Sequence, residues 1–270
     1  MKKYILILLL FLSCLTFAFE KNVTAKTNTI TFSNKQVMKT WFYPYRDPAG
    51  KVALNAIRSL QGFTINAKKD IYVSYATDDK TTYGYIYHYY STGKLVKKST
   101  RLVIGHGQAI SNYKGSIYVV ADISGKKNYQ MYKIDEKTLR VKQSWILPSN
   151  IHPNVLYMHN EREASVVSKV TEGYHINRIT LTGKQAVLDT KKRIVVKGLV
   201  GTTVKKPVQG FTYEKGLYYT LSDGQYGVVD AKGNLKRVAL QTKREPEGIG
   251  FVNGKMVMAF NNLNELFKQK

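Results

Sequence analysis

The chain has 270 residues, with 42 Lys and Arg against 18 Asp and Glu, and so a formal net charge of +24. Its single cysteine, Cys14, excludes an internal disulfide framework. The length suits one full domain with a substantial core, and so much charge of one sign repels itself and favours polyanionic partners.

The first 25 residues read as a signal peptide. Lys2 and Lys3 form a positive n-region, and Tyr4 to Leu12 forms an apolar h-region too short to span a bilayer as a mature helix. Small residues mark two cleavage sites, one after Ala18 (Thr16-Phe17-Ala18) and one after Ala25 (Val23-Thr24-Ala25). Leu12-Ser13-Cys14 is a poor lipobox because Phe11 stands where Leu is usual, so a lipid anchor at Cys14 is not expected. Residues 26–270 then form a single secreted domain, monomeric and without thiol chemistry, that can associate with a cell surface.

Two strands, Thr29 to Phe32 and Gln36 to Phe42, open that domain. Period-two alternation and β-branched or aromatic residues dominate the rest, and helical periodicity is nearly absent. A short apolar strand recurs at Asp70 to Tyr75, Ser116 to Ala121, Ala164 to Ser168, Gly216 to Thr220 and Lys255 to Ala259. Aligned at Ile71, Ile117, Ser165, Leu217 and Met256, the copies are 46, 48, 52 and 39 residues apart, the size of a propeller blade. A polar hairpin turn follows each of the first four, at Tyr90 to Leu95, Ile134 to Leu139, Leu181 to Ala186 and Val229 to Leu235. The fifth unit shows only two clear strands, and the N-terminal pair can supply the rest. The expected fold is all-β: a five-bladed β-propeller whose last blade is shared by N- and C-terminal strands, which leaves no open edge.

Weaker features accompany the repeat. Tyr83, Tyr85, Tyr87 and Tyr89 alternate on one strand face, where they can stack on sugars or, more usually, pack between blades. Asp78-Asp79 is an ordinary solvated pair with a weak suggestion of calcium, and Trp41 and Trp145 read as core.

A polar residue followed by glycine precedes four of the five apolar strands: Gln61-Gly62, His106-Gly107, Gln209-Gly210 and Glu247-Gly248. The third unit offers His152-Pro153-Asn154 instead. Glycine there allows the innermost strands to crowd the axis, and the polar side chains are expected to converge at one channel mouth. Gln61, His106, Gln209, Glu247 and His152 are therefore the candidate ligand-binding residues. No spacing among them specifies a metal, and no cofactor is expected.

The motifs Gln61-Gly62-Phe63, Gly105-His106-Gly107 and Glu245-Pro246-Glu247-Gly248 resemble those of the helveticin J-like class III bacteriocins, over about Leu60 to Asn262. That resemblance implies a five-bladed propeller and antibacterial action, with Gln61, His106, Gln209 and Glu247 as the shared positions. This chain departs from many such proteins in its compactness and its clear leader.

No nucleophile elbow, zincin motif or phosphate-binding glycine loop is present. The sequence therefore points to binding of anionic cell-wall polymers, or of the membrane surface, of Gram-positive bacteria, and not to specific nucleic-acid recognition. The alternative is an extracellular lyase or hydrolase acting on an envelope glycan at the channel mouth, with His106 and Glu247 as its reactive pair.

Overall fold

Strand after strand in this chain alternates two apolar faces, and the fold follows from having to bury both. The computed structural model describes residues 26–45, 58–77, 82–123, 129–203, 208–261 and 263–270. The proposed leader with Cys14, the Asp78-Asp79 pair and the Lys126-Lys127 and Lys205-Lys206 dipeptides lie outside the described residues.

Four antiparallel meanders are complete in themselves. Blade 1 is β3 (Ser59–Ile65), β4 (Ile71–Ala76), β5 (Gly84–Tyr89) and β6 (Leu95–Lys98). Blade 2 is β7 (Ile110–Tyr113), β8 (Ser116–Ala121), β9 (Gln130–Asp135) and β10 (Val141–Ile146). Blade 3 is β11 (Leu156–Met158), β12 (Glu163–Val170), β13 (Gly173–Thr182) and β14 (Gln185–Lys197), and a parallel pairing of Ile146 with Gln185 joins its edge to that of blade 2. Blade 4 is β15 (Gly210–Glu214), β16 (Leu217–Ser222), β17 (Gln225–Val229) and β18 (Leu235–Ala239). The five recurrent apolar segments coincide with β4, β8, β12, β16 and, in blade 5, β20 (Lys255–Phe260).

Blade 5 is where the sequence expectation needs correcting. It holds three C-terminal strands rather than two: β19 (Pro246–Val252), β20 and β21 (Glu265–Gln269). The N-terminal β2 (Val37–Phe42) pairs with β21 as the fourth strand, and β1 (Thr29–Thr31) adds a fifth outside it. Beyond β1, Phe32 bridges to Leu240 at the end of blade 4.

The innermost strands touch in a cycle: β3 meets β7, β7 meets β11, β11 meets β15, β15 meets β19, and β19 meets β3. The apolar core is correspondingly split into five clusters, each shared by neighbouring blades. Tyr118 and Trp145 of blade 2 pack against Leu156 and Ile179 of blade 3, and Val167 and Tyr174 of blade 3 against Phe211 and Tyr218 of blade 4. Leu221 of blade 4 joins Met258 and Phe267 of blade 5, Val257 and Leu266 of blade 5 join Val73 and Tyr87 of blade 1, and Tyr72 of blade 1 joins Val119 of blade 2. The pleat makes this possible: Tyr72 faces one neighbouring blade and Val73 the other.

Part of the tyrosine ladder packs between blades, while Tyr83 lies under the Arg101 guanidinium. Tyr87 and Tyr89 are buried in the interface with blade 5, where the Tyr75 and Tyr87 rings lie 4.8 Å apart. Trp145 is 5% exposed and stacks near Tyr118, whereas Trp41 is half-buried beneath the Lys268 ammonium.

Candidate functional site

The glycines before the apolar strands do what crowding at an axis requires. A Cβ on Gly62 would stand 2.6 Å from the Gln108 carbonyl oxygen, one on Gly210 2.9 Å from the Gly248 carbonyl carbon, and one on Gly248 2.7 Å from the Phe63 ring. Each approach is to the next innermost strand. Gly107 differs: it has φ +63, and its N–H donates to the Ile104 carbonyl in a tight turn before β7.

That difference shifts the register of the polar ring. Phe63, Ile110, Leu156, Phe211 and Ile249, one from each blade, line the channel at equivalent levels. Counting back two residues from each gives Gln61, Gln108, Asn154, Gln209 and Glu247. In blade 2 the equivalent polar residue is thus Gln108 rather than His106, and in blade 3 it is Asn154 rather than His152. Gln61 and Glu247 are the extra residues of matching β-bulges, between Leu60 and Gly62 and between Pro246 and Gly248.

Gln108, Gln209 and Glu247 line the narrow end of the channel, and Gln61 and His106 do not. The Gln61 amide turns back to the Leu60 carbonyl, 3.1 Å away. The His106 Nδ1 lies 3.2 Å from an Asp122 carboxylate oxygen, whereas Glu247 accepts from Asn261. His152 sits against Tyr129, ring centroids 5.1 Å apart, in a cleft over blade 3.

Two residues outside the expected set complete the network at the narrow end. The Asn261 Nδ2 donates to Glu247 Oε1 at 2.5 Å and to Glu245 Oε2 at 3.2 Å, while the Gln209 Nε2 donates to Glu245 Oε1 at 3.1 Å. Gln108 Nε2 reaches Glu247 Oε2 at 3.4 Å. The amide oxygens of Gln209 and Asn261 are buried without a hydrogen-bond partner among the described residues. They are acceptors for a small donor such as one water.

The other end is wider, a cavity of about 200 Å³ lined by Thr64, Asn112, Tyr157, Tyr213, Glu214 and Phe251 among others. Thr64 Oγ1 donates to Asn112 Oδ1 at 2.9 Å, tying blades 1 and 2. His159 packs on Tyr213, ring centroids 5.2 Å apart, and its Nε2 lies 2.8 Å from Ser165 Oγ, which also meets the Tyr218 hydroxyl at 3.1 Å. Burial, then the Arg178 charge, pushes the His159 imidazole down to about 4. Ser165 is only 1% exposed, so its hydroxyl is sealed from any substrate carbonyl and the pair serves packing rather than acyl transfer.

Exposed cationic side chains recur on the outer strands. Lys97 and Lys98 on β6, Lys142 on β10, Lys191, Lys192 and Lys197 on β14, Lys236 and Arg237 on β18, and Lys39 on β2 are all exposed. Several acids are engaged locally: Asp135 is held well below the usual carboxylate range by the Lys142 ammonium at 2.6 Å, and Glu163 and Asp189 share Lys192.

No protein-family description and no curated protein matches the sequence. Solved structures do match in fold. A chain of a nidogen/laminin complex superposes with a TM-score of 0.50 at 11% identity, over 87% of this chain and 86% of that one. The Dos1 propeller matches at 0.39 and 10% identity, over 90% and 77%, and a gluconolactonase from Xanthomonas campestris at 0.49 and 11%, over 90% and 95%. The last two superpose too loosely to carry weight, and at such identities the first is a likeness of architecture alone; it is the cycle of four-stranded meanders that makes this chain a β-propeller.

Proposed function

We propose that this protein is a secreted propeller that binds anionic polymers of the Gram-positive cell surface through its cationic outer strands. One observation carries the reading: exposed Lys or Arg side chains stand on an outer strand of each blade, from Lys97 and Lys98 on β6 to Lys39 on β2. Lysines on a sheet edge also deter strand-to-strand association. The three on β14 and the pairs on β6 and β18 exceed that need, and together they form a belt of positive potential that concentrates a flexible polyanion.

The resemblance to the helveticin J-like bacteriocins supports a bacterial target and adds the finer proposal that binding harms the bound cell. The enzyme reading draws less support, because Glu247 lines the narrow end of the channel and His106 does not. The test is co-sedimentation of purified protein with Gram-positive walls, intact and stripped of teichoic acid, with a killing assay on the same strains. Binding that survives stripping unchanged overturns the polyanion reading.

A further inference from the structure

The surface carries one cleft whose chemistry is more specific than the belt. It lies over blade 3, between the ends of β12, β13 and β14 and the loop 150–154, and has a volume of about 270 Å³. Arg193, Lys169, His152 and His175 line it, and among the described residues no carboxylate does. In a chain with 18 Asp and Glu that is a local excess of positive charge, not only a reflection of the whole.

The arginine is aimed. Its Nε donates to Asn177 Oδ1 at 2.8 Å, and Asn177 is 1% exposed. The Asn177 Nδ2 in turn donates to Ser168 Oγ at 3.1 Å, which fixes the amide. The two Nη groups of Arg193 make no hydrogen bond or ion pair among the described residues, so the outer fork of the guanidinium remains available to a ligand. Aliphatic side chains, Val167 and Ile151 among them, form part of the lining and lower the local dielectric, which strengthens attraction for an anion. Burial, then the Arg193 charge, pushes the His175 imidazole down, and its neutral ring can donate one hydrogen bond.

We propose that this cleft is an anion subsite that takes a phosphate group, with Arg193 as a bidentate clamp positioned by Asn177 and with His175, His152 and Lys169 around it. A planar two-donor fork matches two phosphate oxygens, whereas a lone ammonium would act only as a point charge. The volume lies just under the range of about 300–1,000 Å³ typical of drug-sized ligands, which suits one phosphate with a short polyol and not an oligosaccharide. The inference rests on the polymer-binding reading above and names the chemical group recognised: the phosphodiester unit of a polyol-phosphate chain.

The experiment has two arms. In the first, imidazole resonances of the wild-type protein are followed by NMR during titration with inorganic phosphate, then with glycerol phosphate, at constant ionic strength. Of the five histidines, His152 and His175 should shift together and saturably, while His88, His106 and His159 stay fixed. In the second, affinity for poly(glycerol phosphate) is measured for wild type, Arg193→Gln, Arg193→Lys and the rim control Lys236→Gln, with folding of each checked by thermal unfolding. Both Arg193 variants should lose about tenfold, the scale of one charge-assisted bidentate contact, and Lys236→Gln less than about twofold. Unmoved His152 and His175, or an Arg193→Gln loss no larger than that of Lys236→Gln, overturns the subsite while leaving belt binding intact. Wild-type protein that ignores the polymer overturns the polymer reading itself, so the two failures are distinguishable.

Discussion

Glu265 gives the sharpest test of how the ring is closed. It begins β21, is fully buried, and collects groups from both ends of the chain. The Asn28 Nδ2 donates to its two oxygens at 3.1 and 3.0 Å, and Thr40 Oγ1 to Oε1 at 2.5 Å. From the C-terminal side the Arg244 Nη1 pairs with Oε2 at 2.5 Å. Removing one partner of a buried pair costs about 3–5 kcal/mol, because the other charge is left uncompensated. Arg244 keeps some contact with solvent, so Glu265→Gln belongs at the lower end, about 3 kcal/mol. At about 2–4 °C per kcal/mol for a domain of this size, the unfolding midpoint should fall by about 6–12 °C. Amide exchange should quicken in β2 before the other blades, since β2 is held at the seam. Replacing both partners, as in Arg244→Met with Glu265→Leu, should recover more than half of the loss. A Glu265→Gln midpoint within about 2 °C of wild type would refute the idea that this carboxylate fastens the closing blade.

Two further perturbations follow. Gly62→Ala forces a Cβ to within 2.6 Å of the Gln108 carbonyl oxygen and should cost about 1–3 kcal/mol in denaturant unfolding, whereas Gly115→Ala, with open space around it, should suffer only from its φ of +76. His159 is held down to about 4 in the fold, against about 6.5 when unfolded, so the unfolded chain takes up a proton first as pH falls. Its contribution to stability is therefore whole above about pH 6.5 and lost progressively towards pH 4; solvent contact reduces it to about 1–2 kcal/mol. A His159→Gln variant should show a flatter stability profile across that window, and an unchanged profile would contradict the assignment.

The blades were legible because each second strand carries a run of residues buried largely on both faces, as in Ile117 to Ala121, and few other structures produce such a run at blade spacing. The close approach of Gly62, Gly210 and Gly248 was legible for a related reason: glycine beside an apolar strand signals a neighbouring backbone. Two things were hidden. β21 opens with Glu265, and a charge at the head of a short strand argues against burial until the N-terminal Asn28 and Thr40 are known to surround it. In the second unit, a turn glycine with φ +63 imitated a crowding glycine and drew the register to His106, two residues early. The third unit lacks the glycine altogether, so His152 stood in for Asn154. The blade 3 cleft was invisible because Arg193, His175 and Asn177 come from adjacent strands, and only the β13–β14 pairing brings them together.

The central claim is that exposed Lys and Arg hold an anionic polymer, and salt addresses it directly. Binding of the wild-type protein to isolated poly(glycerol phosphate) should weaken steadily as sodium chloride rises, with log affinity falling linearly against log salt, because each contact releases counterions and exposed charges are screened. An uncharged polyol of the same length should not bind. Affinity that is flat across the salt range, or equal for the charged and uncharged polymers, would contradict the account.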